Sequence, residues 1–217
     1  MSAPAAAATT GAPLPTPTYG AGGSFAISCS SRIAAAPRDC LDVVVASSEC
    51  TFLPPDQDNA AWNRFCRKCT IDSQPDDTPS DPTHLRLGTH FTFDVHLNPS
   101  EPDGAAAGQA IALQVSVLEP IDEPAGSEDG SPPRKGWRIA WKQRASLLMP
   151  AWLLRSERVQ EFVEVEGGKE TDYRCWETFY GLLAPVVRMA AAAQVERGFE
   201  AWSEGLKGRV EKGGRGE

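Results

Sequence analysis

The sequence predicts an α+β fold in which a curved antiparallel sheet of six to seven strands wraps around one long C-terminal helix, with two short helices after the first strand. Three observations lead there. Leu183, Val187, Ala191, Val195, Phe199, Trp202, Leu206 and Val210 recur every three or four residues, while Arg188, Glu196, Arg197, Glu200, Glu204, Lys207 and Glu211 fall mostly elsewhere. That spacing is the mark of an amphipathic helix. Upstream, several stretches alternate apolar and polar residues with a period of two, as half-buried strands do. Most of these strands follow one another without an intervening helix, so neighbours pair antiparallel and the single long helix must cover one face of the sheet. A sheet curved around one helix leaves a cavity between them, and a small-molecule ligand is the expected occupant.

Taken in order, the chain opens on MSAPAAAATTGAPLPTPTYGAGGS. This has neither the basic and apolar regions of a secretory signal nor the arginines of a mitochondrial presequence, so residues 1–23 are expected to be a disordered tail. SFAISCSSRI at 24–33 alternates Phe25, Ile27, Cys29, Ser31 and Ile33 against smaller residues and reads as the first strand. Pro37 suits the first turn of a helix over 37–48, and AAWNRFC at 60–66 reads as a second short helix or helical turn anchored by Trp62 and Phe65. IDSQPDDTPSDPTH at 71–84 is too acidic and proline-rich for an element and reads as a loop.

LRLGTHFTFDVHL at 85–97 gives a strand with Leu87, Thr89, Phe91, Phe93, Val95 and Leu97 on one face, and QAIALQVSVLEP at 109–120 another with Ile111, Leu113, Val115 and Val117 together. After a loop at 121–135, GWRIAWKQRA at 136–145 puts Trp137, Ile139, Trp141 and Gln143 on one face. The last two strands, near 153–165 and 171–180, meet in a tight GGKE turn.

Length and composition bound the function. A chain of 217 residues, 41% hydrophobic, supports one core, so one domain is expected over 24–212, with a short disordered end at 213–217. A net charge of −8 and a pI near 5.0 argue against nucleic acid or an anionic membrane as the main partner. No run approaches the roughly 20 apolar residues of a membrane span. Without an export signal, the six cysteines read as reduced thiols in the cytoplasm.

The strand over 171–180 carries Tyr173, Cys175, Glu177 and Phe179 on its covered face, so a carboxylate sits among apolar neighbours. Arg158, with Gln160 and Phe162 on the adjacent strand, is brought close by the hairpin and is the expected partner of Glu177. A carboxylate so placed either has a raised pKa and serves as general acid or base, or forms a buried ion pair. Phe91, Phe93, Trp141, Phe162, Phe179, Phe199 and Trp202 are the candidate lining of a pocket for a flat or polyprenyl ligand, and equally candidate core. His90, Asp94 and His96 invite a metal reading, but on one strand His90 and His96 lie about 20 Å apart, so no metal site is expected. Cys66-Arg-Lys-Cys69 is a lone CxxC, short of a zinc ligand set. No phosphate loop, dinucleotide fingerprint or nucleophile elbow is present, and no cofactor is expected. Gly198, Gly205 and Gly208 interrupt the long helix, either to let it approach the sheet closely or because its end frays after Gly205.

WNRF, LRLGT, GWRIAWK, LLRSERVQEF, TDYRCWETFYGLLAPVV and RGFEAWSEGLKGRVE, in this order, resemble the START-like SRPBCC superfamily, which includes polyketide cyclases and dehydratases and lipid or quinone carriers. The resemblance covers Ser24 to Lys212 and looks most like fungal members. It implies a helix-grip fold with a cavity that binds a hydrophobic molecule of polyketide, sterol or quinone type. It equally allows a cofactor-free cyclase, dehydratase or isomerase of secondary metabolism, with Glu177 as acid/base and Arg158 or Tyr173 polarising a carbonyl. Relatives often carry a histidine where Arg158 stands, which argues against a histidine proton shuttle here.

Overall fold

The computed structural model describes residues 7–46, 62–76, 83–102, 107–125 and 132–213. Its strands are β1 (Thr9–Gly11), β2 (Phe25–Ile33), β3 (Cys66–Ser73), β4 (His90–Val95), β5 (Gln109–Glu123), β6 (Arg134–Gln143), β7 (Arg155–Val165) and β8 (Glu170–Tyr180). The helices are α1 (Pro37–Val45) and α2 (Ala184–Gly213). The strands form one antiparallel sheet in the order β1-β2-β8-β7-β6-β5-β4-β3. This is the expected sheet and closing helix, with eight strands rather than six or seven.

The inner face of the sheet holds the core against α2. Phe25, Ile27, Phe91, Phe93, Ile139, Trp141, Phe162 and Tyr173 meet Phe199, Trp202 and Leu206 there. Rings pack edge to face in a continuous group: Phe93, Trp141 and Trp202 lie 5.7–6.0 Å apart by centroid, spacings at which aromatic pairs add stability beyond their buried area. α1 starts with Pro37 in its first turn after an extended Ala36 and buries Cys40, Leu41 and Val44.

Several expectations are corrected. The tail assigned to 1–23 is built into the fold from residue 7 onward. β1 pairs with β2, and the segment after it crosses the outer face of the sheet as a strap. There Trp176 Nε1 and Thr178 Oγ1 donate to the carbonyls of Pro15 and Leu14, and Thr16 and Tyr180 bond through their hydroxyls at 2.9 Å. The strap is anchored by Glu157, a fully buried carboxylate that accepts from the Thr18 N–H, the Thr18 hydroxyl and the Ser116 hydroxyl at 2.9, 2.7 and 2.6 Å. Low hydrophobicity made this segment read as unstructured, but its stability comes from backbone groups satisfied by side chains far along the chain.

The described part of the second short helix, from Trp62, is a turn that feeds directly into β3, so Cys66 to Ser73 pair with β4 instead of continuing a helix or opening a loop. Residues 85–89 precede β4 as a turn, and Leu87 is exposed. A bulge between Val115 and Val117 reverses the facing of β5, so Val117 joins the outer face and Leu118 takes the inner position opposite Ile139. The β7–β8 turn is a short 3-10 segment, Glu166–Gly168, with positive φ at all three residues. α2 runs through Gly205 to Gly213 rather than fraying. A Cβ at Gly198 would sit 2.3 Å from the Phe65 ring and one at Gly205 1.9 Å from the Trp62 carbonyl, so these glycines are notches that admit the Trp62–Phe65 turn.

Candidate functional site

The register of β7 and β8 sets Arg158 directly opposite Glu177, both facing α2, with Trp141 of β6 beside Arg158. Arg158 Nε donates to Glu177 Oε2 at 3.1 Å. Only 6% of the Arg158 side chain and 15% of that of Glu177 are exposed. Burial alone would lower the Arg158 pKa, and the facing Glu177 carboxylate together with the neighbouring Cys175, Cys66 and Tyr173 more than offsets that, so the guanidinium keeps its charge. Its Cζ lies 4.1 Å from the Phe199 ring centroid, with the Phe65 centroid at 5.2 Å and that of Trp202 at 5.7 Å, a cation–π setting that holds it in place.

This pair opens on a cavity of about 260 Å³ between sheet and helix. The walls are apolar: Phe65, Phe93, Leu113, Trp141 and Phe179 from the sheet side, and Val195 from α2, with partly exposed Leu97, Ile111, Leu154, Val187 and Ala191 at its outer end. Gln109, Gln143 and Ser156 add polar groups, and none of the three makes a side-chain hydrogen bond among the described residues. Close by, Leu182, Val186 and Met189 at the start of α2 and Leu147, Leu148 and Trp152 in the β6–β7 connection are exposed.

Five of the residues singled out in the sequence line this cavity: Arg158, Glu177, Phe93, Trp141 and Phe179. Phe91, Phe162, Phe199 and Trp202 pack behind it as core, Phe199 as the floor under Arg158. Tyr173 is sealed away from it. Its hydroxyl donates to Gln160 Oε1 at 2.7 Å, and burial pushes its pKa well above the ordinary value, so it stays a neutral structural phenol. Gln143 is placed by the sequence on the Trp141 face without a role in a site, and Ser156 is not singled out, although the alternation that faces Arg158 inward places Ser156 inward too. Cys66, also on the wall, is a buried thiol whose pKa burial raises to about 12, and both it and Cys69 belong to β3. Asp94 and His96 touch at 3.0 Å, and His90 bonds Ser73 instead. Among the described residues, no three His, Cys, Asp or Glu converge as a metal site.

A larger hollow, about 750 Å³, lies on the outer face under the strap. Its charged walls are already paired: Glu161 bridges Arg134 and Arg138, and Asp172 holds Arg174 at 2.8 Å. The smaller inner cavity is the better site because its polar groups are only partly committed.

Solved structures share this arrangement. A hypothetical protein of Helicobacter pylori superposes with a TM-score of 0.55 at 13% identity, covering 84% of this chain and 86% of its own. A Thermus thermophilus protein gives 0.52 at 10%, covering 87% and 98%. The chain shares the helix-grip architecture of these structures. A point mutant of norcoclaurine synthase from Thalictrum flavum, in complex with a transition state analogue, superposes at 0.50 with 9% identity, covering 87% of this chain and 95% of its own. At such identities, the likeness within the helix-grip fold is one of architecture. No family's sequence profile matches the chain. By sequence, the chain is similar to the oxopyrrolidines biosynthesis cluster protein O of Penicillium oxalicum, 37% identical over 139 residues; the match spans 58% of this chain and 61% of that protein. No helix among the described residues is long and apolar enough to cross a membrane.

Proposed function

We propose that this chain binds a compact, largely apolar molecule between the sheet and α2, with Arg158 and Glu177 as its polar recognition pair. One observation carries the reading: a cavity of about 260 Å³, walled by Phe93, Leu113, Trp141 and Phe179, ends on an ion pair that the protein itself satisfies only in part. Ligand pockets usually hold about 300–1,000 Å³. A volume just below that range favours a compact polyketide-type ring compound over a sterol or a polyprenyl quinone. The Penicillium oxalicum relative, named for an oxopyrrolidine biosynthesis cluster, supports a place in fungal secondary metabolism. The buried free thiols Cys29, Cys40, Cys66, Cys69 and Cys175 suit a reducing compartment, and we assign the protein to the cytoplasm.

A second reading, an enzyme of the cyclase, dehydratase or isomerase kind, is favoured by Glu177 Oε1. It makes no hydrogen bond among the described residues and faces the cavity, as a general acid or base must. Arg158 would then polarise a ligand carbonyl, while Tyr173, sealed against Gln160, has no part in it.

Native mass spectrometry of the protein purified from its own host tests the binding reading. A single small-molecule adduct is expected, displaced when Leu113→Trp fills the cavity. An adduct unaffected by that change would refute it. Glu177→Gln divides the two readings: a carrier keeps its ligand, whereas an enzyme keeps its ligand and stops converting it.

A further inference from the structure

The polar end of the cavity is more specific than an ion pair usually is. A guanidinium carries five N–H donors. In Arg158 only Nε is engaged, so the four N–H groups on Nη1 and Nη2 make no hydrogen bond among the described residues. Glu177 uses Oε2 and leaves Oε1 without a bond in the same sense. Among the described residues, the sealed polar side-chain atoms without a partner are Thr10 Oγ1, Asn63 Nδ2, Gln160 Nε2 and Trp202 Nε1. The free ends of Arg158 and Glu177 are not among them and therefore open on the cavity that both residues line. The Phe199 ring centroid lies 4.1 Å from the Arg158 Cζ, so recognition falls to the N–H groups that open on the cavity.

Charge then narrows the ligand. The pair is neutral as a unit, so an anionic ligand would leave an uncompensated negative charge beside Glu177, and a cationic one a positive charge beside Arg158, both in an apolar cavity. A pure hydrocarbon would leave donors and an acceptor desolvated and unpaired. A neutral group offering an acceptor and a donor on neighbouring atoms satisfies both residues at once. We infer that the ligand carries such a group, a secondary lactam, whose carbonyl accepts from Arg158 while its N–H donates to Glu177 Oε1. This rests on the binding reading above and specifies the ligand class for it.

Three probes of nearly equal shape test this by ligand-observed NMR titration: 4-phenylpyrrolidin-2-one, its N-methyl derivative, and phenylcyclopentane. The wild-type chain should bind the lactam about tenfold or more tighter than the N-methyl lactam, which keeps the acceptor and loses the donor. The double variant R158M/E177L removes both charges together, a change that cores tolerate. It should bind the lactam and its N-methyl derivative within about twofold of each other and prefer the hydrocarbon. Equal affinity of the wild type for lactam and N-methyl lactam overturns the inference, even if the double variant fails to fold. Tighter binding of the anion 3-phenylbutanoate than of the lactam overturns it too. If phenylcyclopentane binds without any discrimination among probes, only the ligand class is wrong. If no probe binds and no adduct accompanies the protein from its host, the binding reading falls with it.

Discussion

Gly205 and Gly208 lie three residues apart in α2, yet replacing each with alanine should affect stability differently. Either change removes the backbone flexibility of glycine from a helix interior, a gain of about 1 kcal/mol common to both. At Gly208 nothing lies within 4 Å of the added methyl, so Gly208→Ala keeps that gain. At Gly205 the methyl would fall 1.9 Å from the Trp62 carbonyl oxygen and 3.0 Å from its carbon. Those are backbone atoms of the turn leading into β3, which cannot step aside as a flexible side chain would. Overpacking of this kind costs about 1–3 kcal/mol. Because the propensity gain cancels, the gap between the two variants isolates that cost. Urea unfolding should place Gly208→Ala above Gly205→Ala by about 1–3 kcal/mol, or roughly 2–12 °C in Tm for a domain of this size. A gap below about 0.5 kcal/mol, or one of opposite sign, would refute the notch.

Other expectations are simpler. Arg158→Met alone leaves the Glu177 carboxylate facing apolar walls and should destabilise by about 3–5 kcal/mol in urea, whereas R158M/E177L should recover most of that loss. Glu157→Leu strips the strap of the acceptor for the Thr18 N–H and hydroxyl and the Ser116 hydroxyl; it should cost about 2–3 kcal/mol and make the chain cleavable by protease between residues 10 and 23. Stability should decline in alkali. Burial raises Cys66 from near 9 to about 12 and Cys40 to about 11, so between those values the unfolded chain loses thiol protons that the folded chain retains. The contribution is complete below pH 9 and disappears as pH rises toward 12, and the urea midpoint followed from pH 7 to 11 should fall less steeply in Cys66→Ala.

The parts of this molecule that follow from periodicity were legible in the sequence. Alternation placed Tyr173, Cys175, Glu177 and Phe179 on the inner face, and the hairpin placed Arg158 opposite Glu177, as the register of β7 and β8 has it. What periodicity cannot express was missed. The Ser116 bulge shifts Val117 outward by adding a single residue, without altering the apolar pattern. The strap, poor in large apolar groups, is held by Glu157, Trp176 and Thr178, partners more than a hundred residues away. β3 carries Arg67 and Lys68 between its cysteines and shows little alternation, so only its pairing with β4 makes it a strand. Within the site, large rings drew attention because ring size suggests burial, but burial does not distinguish wall from core. Phe93 lines the cavity, while Phe91, two residues earlier on the same face, does not.

The sheet order has a consequence for how the chain reaches this structure. Phe25 pairs with Phe179, and Cys29 with Cys175, so the first long strand to leave the ribosome has as its neighbour the last one made. β3 to β7 can zip together by successive hairpins during synthesis, but β2 waits with an unpaired edge, and β1 and the strap wait with it. Closing that long loop is the entropically expensive step of folding and comes late. Until β8 emerges, residues 25–33, with Phe25, Ile27 and Ile33 uncovered, are the segment most open to chaperones and to misassociation.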